Sequence, residues 1–226
     1  MILPTRRLPT LLWLALAPAS LAAQSAPADP PAVADSGTFI IRHGADTVAT
    51  ERFTRTETTL AGTLAVKNSR QMAQQYQAVV APDASVPMIE VIVREDLDSG
   101  RVKGKVVQRA RVLFKEDSVA VDDITNTGLQ TRVFGTERGA IPYLNLSFAL
   151  LEQAVRRSRA GEAGQVAFFN LGGGQTIDAR LSPLGADSLS LAIGTVEFHL
   201  RVDPSGRVMG GRIPAQEVVA ERIGGS

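Results

Sequence analysis

The chain has no cysteine among its 226 residues, only two histidines, and just eight Phe, two Tyr and one Trp. Without cysteine no disulfide can staple the fold, and no thiolate can hold a metal or attack a substrate. Two histidines are too few for the multi-ligand sets of zinc sites. Long apolar runs are also scarce. The longest mainly apolar stretch, Leu8 to Leu21, covers 14 residues and contains Pro9 and Pro18, whereas a spanning helix needs roughly 20. Nor does one sign of charge dominate: 24 Lys and Arg stand against 23 Asp and Glu. Such a balance argues against nucleic acid as a partner, because phosphate neutralisation demands a basic face.

What is present begins with a leader. Arg6 and Arg7 form a basic head, the apolar run follows, and Ser20-Leu21-Ala22 supplies a small-x-small cleavage site. This is the three-part layout of a secretory signal peptide. Residues 1–22 are expected to be removed and the product to be periplasmic or secreted, with no membrane span left. Cleavage leaves about 204 residues with a net charge near −1. Residues 23–36, made of Ala, Pro, Ser and Asp, cannot bury enough surface to offset ordering and are read as a disordered linker. Residues 37–223 are read as a single β-rich domain. That length suffices for a real core, which must supply the stability that disulfides cannot.

From Gly37 onward the apolar residues alternate with period two. Phe39 and Ile41 share one face; Val48 and Phe53 fall on opposite parities and need a bulge between them to share the core side. Leu60, Leu64 and Val66, then Ile89, Val91 and Val93, continue the pattern, and Val196, Phe198, Leu200 and Val202 give its clearest instance. Asp203-Pro204-Ser205-Gly206 matches a type I turn position by position. The period changes once: Leu144, Phe148, Leu151 and Val155 form a helical stripe, with Asn145 or Ser147 able to cap its start. The spacing predicts a mainly β fold, a curved antiparallel sheet or half-barrel of ten or more strands that packs one amphipathic helix at about residues 143–159.

Candidate chemistry is thin. His43 and His199 read as solvated strand residues. Asp96, Asp98 and Gly100 at one turn, and Asp122-Asp123 elsewhere, lack the six or more oxygens that calcium needs. Gly172-Gly173-Gly174 precedes a strand and carries no Lys, so it reads as a hairpin connection, not a phosphate loop. Ser147 lacks the glycine elbow of a nucleophile. Glu90, and Glu197 with His199, are the carboxylates to inspect for paired acid–base work, although strand carboxylates usually face solvent. No catalytic residue, metal or cofactor is assigned. The remaining constellation is apolar: Phe39, Tyr76, Met88, Phe114, Leu144, Phe148, Leu151, Phe168 and Phe198 can line the space between sheet and helix. They would form either a filled core or a cavity for a lipid-like ligand.

The opening hairpin, Gly37 to Glu51, resembles the start of certain uncharacterised periplasmic β-proteins. With the later strands and the single helix, the outline is similar to the lipoprotein-carrier (LolA/LolB-like) half-barrel. That resemblance implies a curved antiparallel sheet wrapped around helical elements that hold acyl chains. The carriers use several helical segments as a lid, whereas only one strong helix is visible here.

The sequence therefore leads to an exported, soluble, non-enzymatic protein of the cell envelope that binds a lipid-like ligand or a partner protein between sheet and helix. Two alternatives stand beside it. One is an envelope-polymer hydrolase with spatially paired carboxylates; the other is a structural or assembly protein acting through an exposed sheet edge.

Overall fold

The computed structural model describes residues 35–67, 71–95, 104–161 and 164–225. The leader, the linker up to residue 34 and the Asp96–Gly100 turn lie outside them. The described residues build fifteen strands and one α-helix. The N-terminal strands are β1 (Asp35–His43), β2 (Asp46–Arg55), β3 (Thr59–Val66), β4 (Met72–Val79), β5 (Met88–Glu95), β6 (Lys105–Lys115), β7 (Ser118–Thr125) and β8 (Gly128–Gly135). After β9 (Ile141–Tyr143) comes α1 (Phe148–Ala160). The chain ends with β10 (Gln165–Asn170), β11 (Thr176–Pro183), β12 (Ser188–Ile193), β13 (Val196–Val202), β14 (Val208–Ile213) and β15 (Val218–Ile223).

All fifteen strands belong to one sheet, ordered β8-β7-β6-β5-β4-β3-β2-β1-β15-β14-β13-β12-β11-β10-β9. Two meanders thus meet where β1 pairs with β15, and among the described residues the sheet ends at β8 and at β9, so it is curved but not closed. Neighbours are antiparallel except β9 and β10, which run parallel around the crossover through α1. The architecture is the expected mainly β one, with a single packed helix.

Local chemistry explains the details. Ile41 pairs with Ala49 and Arg42 with Thr47, leaving Val48 as the extra residue of a bulge. Val48 packs against the core together with buried Phe53, which is what opposite parities required. The Asp203 carbonyl accepts from Gly206 N–H at 2.9 Å, closing the expected turn. The helix starts at Phe148, later than residue 143, because Ser147 takes the cap position and accepts from Leu150 N–H at 3.3 Å. Residues 141–143 instead form β9. Asp35 and Ser36, ahead of Gly37, already belong to β1: they pair with Arg55 and Thr54 of β2, and the Asp35 carboxylate forms a buried ion pair with Arg222 at 2.5 Å.

The core lies between the sheet and α1, whose residues Phe148 to Val155 are all buried. The helix packs on β2, β9, β10 and β14, and so ties strands of both meanders together. Phe39 stacks on Phe53 at 5.7 Å between centroids and meets Phe148 at 5.5 Å. Gly62 makes room for a ring: a Cβ there would clash with the Tyr76 hydroxyl.

Candidate functional site

Polar side chains appear in this interior where strand alternation would place apolar ones. On β2, Glu51, Phe53 and Arg55 share the buried parity. Glu51 reaches the N-terminus of α1. Its carboxylate accepts from Tyr76 Oη (2.7 Å), Ser147 Oγ (2.5 Å) and Ala149 N–H (3.0 Å). A carboxylate is well placed there, because the first turn's N–H groups have no intrahelical partner and carry partial positive charge. Burial raises the Glu51 pKa, and the bonds from Ser147, Tyr76 and Ala149 only partly oppose it. Burial also pushes the Tyr76 hydroxyl well above its ordinary value, as does the neighbouring Glu51, so the phenol remains a donor.

One turn along the helix, Glu152 is fully buried. It accepts from Arg156 Nε (3.0 Å) and Val208 N–H (2.9 Å), and lies 3.4 Å from both Arg55 and Arg222. Arg55 also donates to the Gln153 side chain and to the Ala149 carbonyl. Arg222 continues to Asp35, which links the first and last strands to the helix. Gln153 Nε2 donates to Ala84 O at 2.8 Å and Arg157 to the Asp83 carboxylate at 2.8 Å, fastening α1 to the β4–β5 turn as well. Every carboxylate oxygen of Glu51 and Glu152 is thus occupied by helix, strand or guanidinium donors. The chemistry of this cluster is to hold the helix. Sequence reasoning passed over it because Glu51 and Arg55 look like ordinary strand residues. The available signals were their shared parity with Phe53, and the position of Glu152 four residues after Phe148 on the buried stripe.

Of the apolar candidates, Phe39, Phe148, Phe168, Phe198, Leu144, Leu151 and Tyr76 converge in the core, each at most 7% exposed. Phe114 is partly buried at its margin and meets Phe169 edge-on at 5.8 Å. Met88 does not join them. Side chains alternate along a strand; Ile89, Val91 and Val93 take the buried face of β5, which leaves Met88 on the opposite face beside Val79 and Leu113. The seven core side chains pack in one apolar cluster with the buried face of α1.

The carboxylates singled out for inspection lie on the outer face. Glu90 lines an open groove of about 460 Å³ with Arg52, Thr63, Gln75, Gln77 and Ile92. Glu197 accepts from Ser190 Oγ at 2.6 Å and touches His199 Nε2 at 3.2 Å, contacts that hold its pKa below the usual range. This order, carboxylate between hydroxyl and imidazole, is not that of a nucleophile with its base. Asp122 is likewise held down by Thr131 and Arg111. The glycine run forms the turn between β10 and β11; at Gly174 (φ +69°) a Cβ would strike the Phe134 ring at 2.7 Å, so this glycine lets the turn approach β8. No group of three or more metal-ligating side chains occurs among the described residues, and no described helix is long and apolar enough to cross a membrane.

The other unusual surface is the sheet end formed by β6–β8. Six of the ten large hydrophobic side chains that are exposed among the described residues lie here: Val106, Val107, Leu113, Ile124, Leu129 and Val133. Cross-strand register places Val79, Met88, Leu113, Ala120 and Val133 in one row on the outer face. The neighbouring row is polar, with Arg111 bonded to Asp122 (2.9 Å) and Thr131 to Asp122 (2.7 Å).

No family model and no curated protein matches the sequence. Solved structures that share the fold include the following two. A DUF1089 family protein from Pseudomonas aeruginosa superposes with a TM-score of 0.53 at 13% identity, over 76% of this chain and 92% of that one. A β-barrel-like protein of domain of unknown function DUF1849 from Brucella abortus gives 0.51 at 9% identity, over 87% and 98%. At such identities the likeness is one of fold, and it supports the barrel-like outline of the sheet.

Proposed function

We propose that this chain is an exported, non-enzymatic protein of the cell envelope, and that it binds a lipid-like ligand or a partner protein on an apolar surface. The leader layout supports export. The observation that carries binding is the concentration of exposed apolar side chains on β6–β8, against a core elsewhere filled by α1. Contiguous exposed apolar surface marks interaction sites on soluble proteins. The interior aromatic cluster serves to seat the helix, while the outer row from Val79 to Val133 provides the contact surface. Acyl chains are the ligand class that the half-barrel outline suggests.

The test is a titration of the purified protein with a fluorescent fatty acid, repeated with Leu113→Ser and Val133→Ser combined. Saturable binding that the double variant weakens at least tenfold supports the reading. Absent binding, or binding indifferent to both substitutions, overturns its lipid form. Chemical cross-linking from Val133 in intact cells to one defined envelope partner would carry the protein form.

A further inference from the structure

The edge of β8 has a property that its composition alone does not reveal. The β7–β8 hairpin closes through the two residues Asn126 and Thr127, with Thr125 opposite Gly128. In such a hairpin the flanking pair is hydrogen-bonded and the pairs then alternate. Gly128, Gln130, Arg132 and Phe134 therefore turn their backbone groups towards β7, and Leu129, Thr131, Val133 and Gly135 turn theirs away from it. β8 ends the sheet, so these outward groups meet no further strand of the described chain.

One end of that edge is already engaged. Gly135 O accepts from Thr176 Oγ1 at 3.3 Å, and Phe134 packs on Phe169 at 5.8 Å. The open stretch is Leu129 to Val133, every residue of it exposed. Its centre is Thr131, and a two-fold axis there sets apolar Leu129 against apolar Val133 and neutral Gln130 against Arg132.

We propose that two copies of this chain pair through these edges, β8 antiparallel to β8, about a two-fold axis at Thr131. The proposal stands beside the reading of β6–β8 as a binding surface: it uses the edge of β8 and leaves the outer face open. A two-fold contact must be self-complementary, and this register is. Thr131 faces Thr131, Leu129 faces Val133, and Gln130 faces Arg132, so no like charges oppose each other. All three outward-facing residues then form hydrogen-bonded pairs, giving six main-chain hydrogen bonds. Moving the axis by one residue to Arg132 would set two guanidinium groups opposite each other and would require the Gly135 edge that Thr176 already occupies. In the favoured register the outer apolar row continues across the axis, from Leu113 and Val133 of one copy to Leu129 and Ile124 of the other. A five-residue strand pair is smaller than a standard protein interface, so the dimer is expected to dissociate on dilution.

The absence of cysteine makes the register directly readable, because a single introduced thiol can only link to a second copy. Under mild oxidation Thr131→Cys should form a covalent dimer. Gln130→Cys and Arg132→Cys should do so poorly alone but efficiently when mixed, because only then do the thiols face each other within disulfide reach. Thr131→Pro removes an N–H that points away from β7, which an edge strand tolerates. It should keep the parental circular dichroism and sediment as a monomer where the parent dimerises. A parent that is monomeric at every concentration, or cross-linking equal at all three positions, overturns the proposal. If the parent is monomeric yet Leu113→Ser with Val133→Ser still abolishes apolar binding, self-pairing fails while the binding-surface reading stands. With a Thr131-centred dimer and no apolar binding, self-pairing stands and the lipid form of that reading fails.

Discussion

The two ends of the N-terminal meander carry the same strand alternation and meet opposite fates. In one cross-strand row, Leu60, Ala78, Ile89, Val112 and Val121 are all buried, but the next position, Arg132 on β8, is exposed. In the adjoining row Phe53 and Tyr76 are buried, whereas Gln130 at its far end is exposed. The difference is what lies opposite. The buried rows face the common apolar core, whereas on β8 only Phe134 still reaches that core, the inward Gln130 and Arg132 are exposed, and apolar residues appear on the outer face instead. Burial is thus a property of what a strand packs against, and the pattern within the strand only makes it possible.

If that contrast is right, substitutions around the helix should weaken the fold far more than those on β8. The largest effect is expected for Glu152→Ala, which leaves Arg55 and Arg222 buried beside an empty site. Removal of one partner from a buried pair costs about 3–5 kcal/mol, and urea unfolding would reveal it; a loss below about 1 kcal/mol would show that water reaches these guanidinium groups. Phe148→Ala empties a fully buried aromatic site and should cost about 3–5 kcal/mol on the same assay. Ser147→Ala removes the cap hydroxyl that also donates to Glu51, with an expected loss of about 1 kcal/mol. At the small end, Val133→Ser on the exposed strand should change stability by no more than about 0.5 kcal/mol. A change as large as that of Phe148→Ala would mean that this face is covered in the folded protein.

The buried Glu51 adds a pH dependence to the helix side of the comparison. Its pKa is raised above 4.5 by burial, so in the window just above 4.5 the native state keeps a proton that the unfolded chain has released. Stability contributed by this group is therefore present below about pH 4.5 and falls as pH rises through the native pKa. Glu51→Gln does not titrate. The difference in Tm between Glu51→Gln and the parent should shift in the variant's favour across that window; a difference independent of pH would show that the carboxylate is already ionised when folded.

Much of this was readable in the chain. The period-two runs, the bulge demanded by Val48 and Phe53, the Asp203–Gly206 turn and the stripe from Leu144 to Val155 are local patterns, and each marks an element seen in the fold. The ionic cluster around the helix was not readable, since Asp35, Glu51, Arg55, Glu152 and Arg222 come together only when β1, β2, β15 and α1 do. Met88 is a different case, because its side was legible: it shares a face of β5 with Glu90 and Arg94, opposite Ile89, Val91 and Val93.

The sequence by itself determined the alternation of strands, the single helix, and the lack of thiols and of charge excess. These follow from residue size, polarity and spacing, which act between near neighbours. Only the tertiary structure decided that the helix fills the curved sheet, that buried ion pairs hold it there, and that β8 is left as an edge. Those outcomes depend on which distant strands meet, because a side chain's burial and a strand's last partner are set by neighbours far away along the chain.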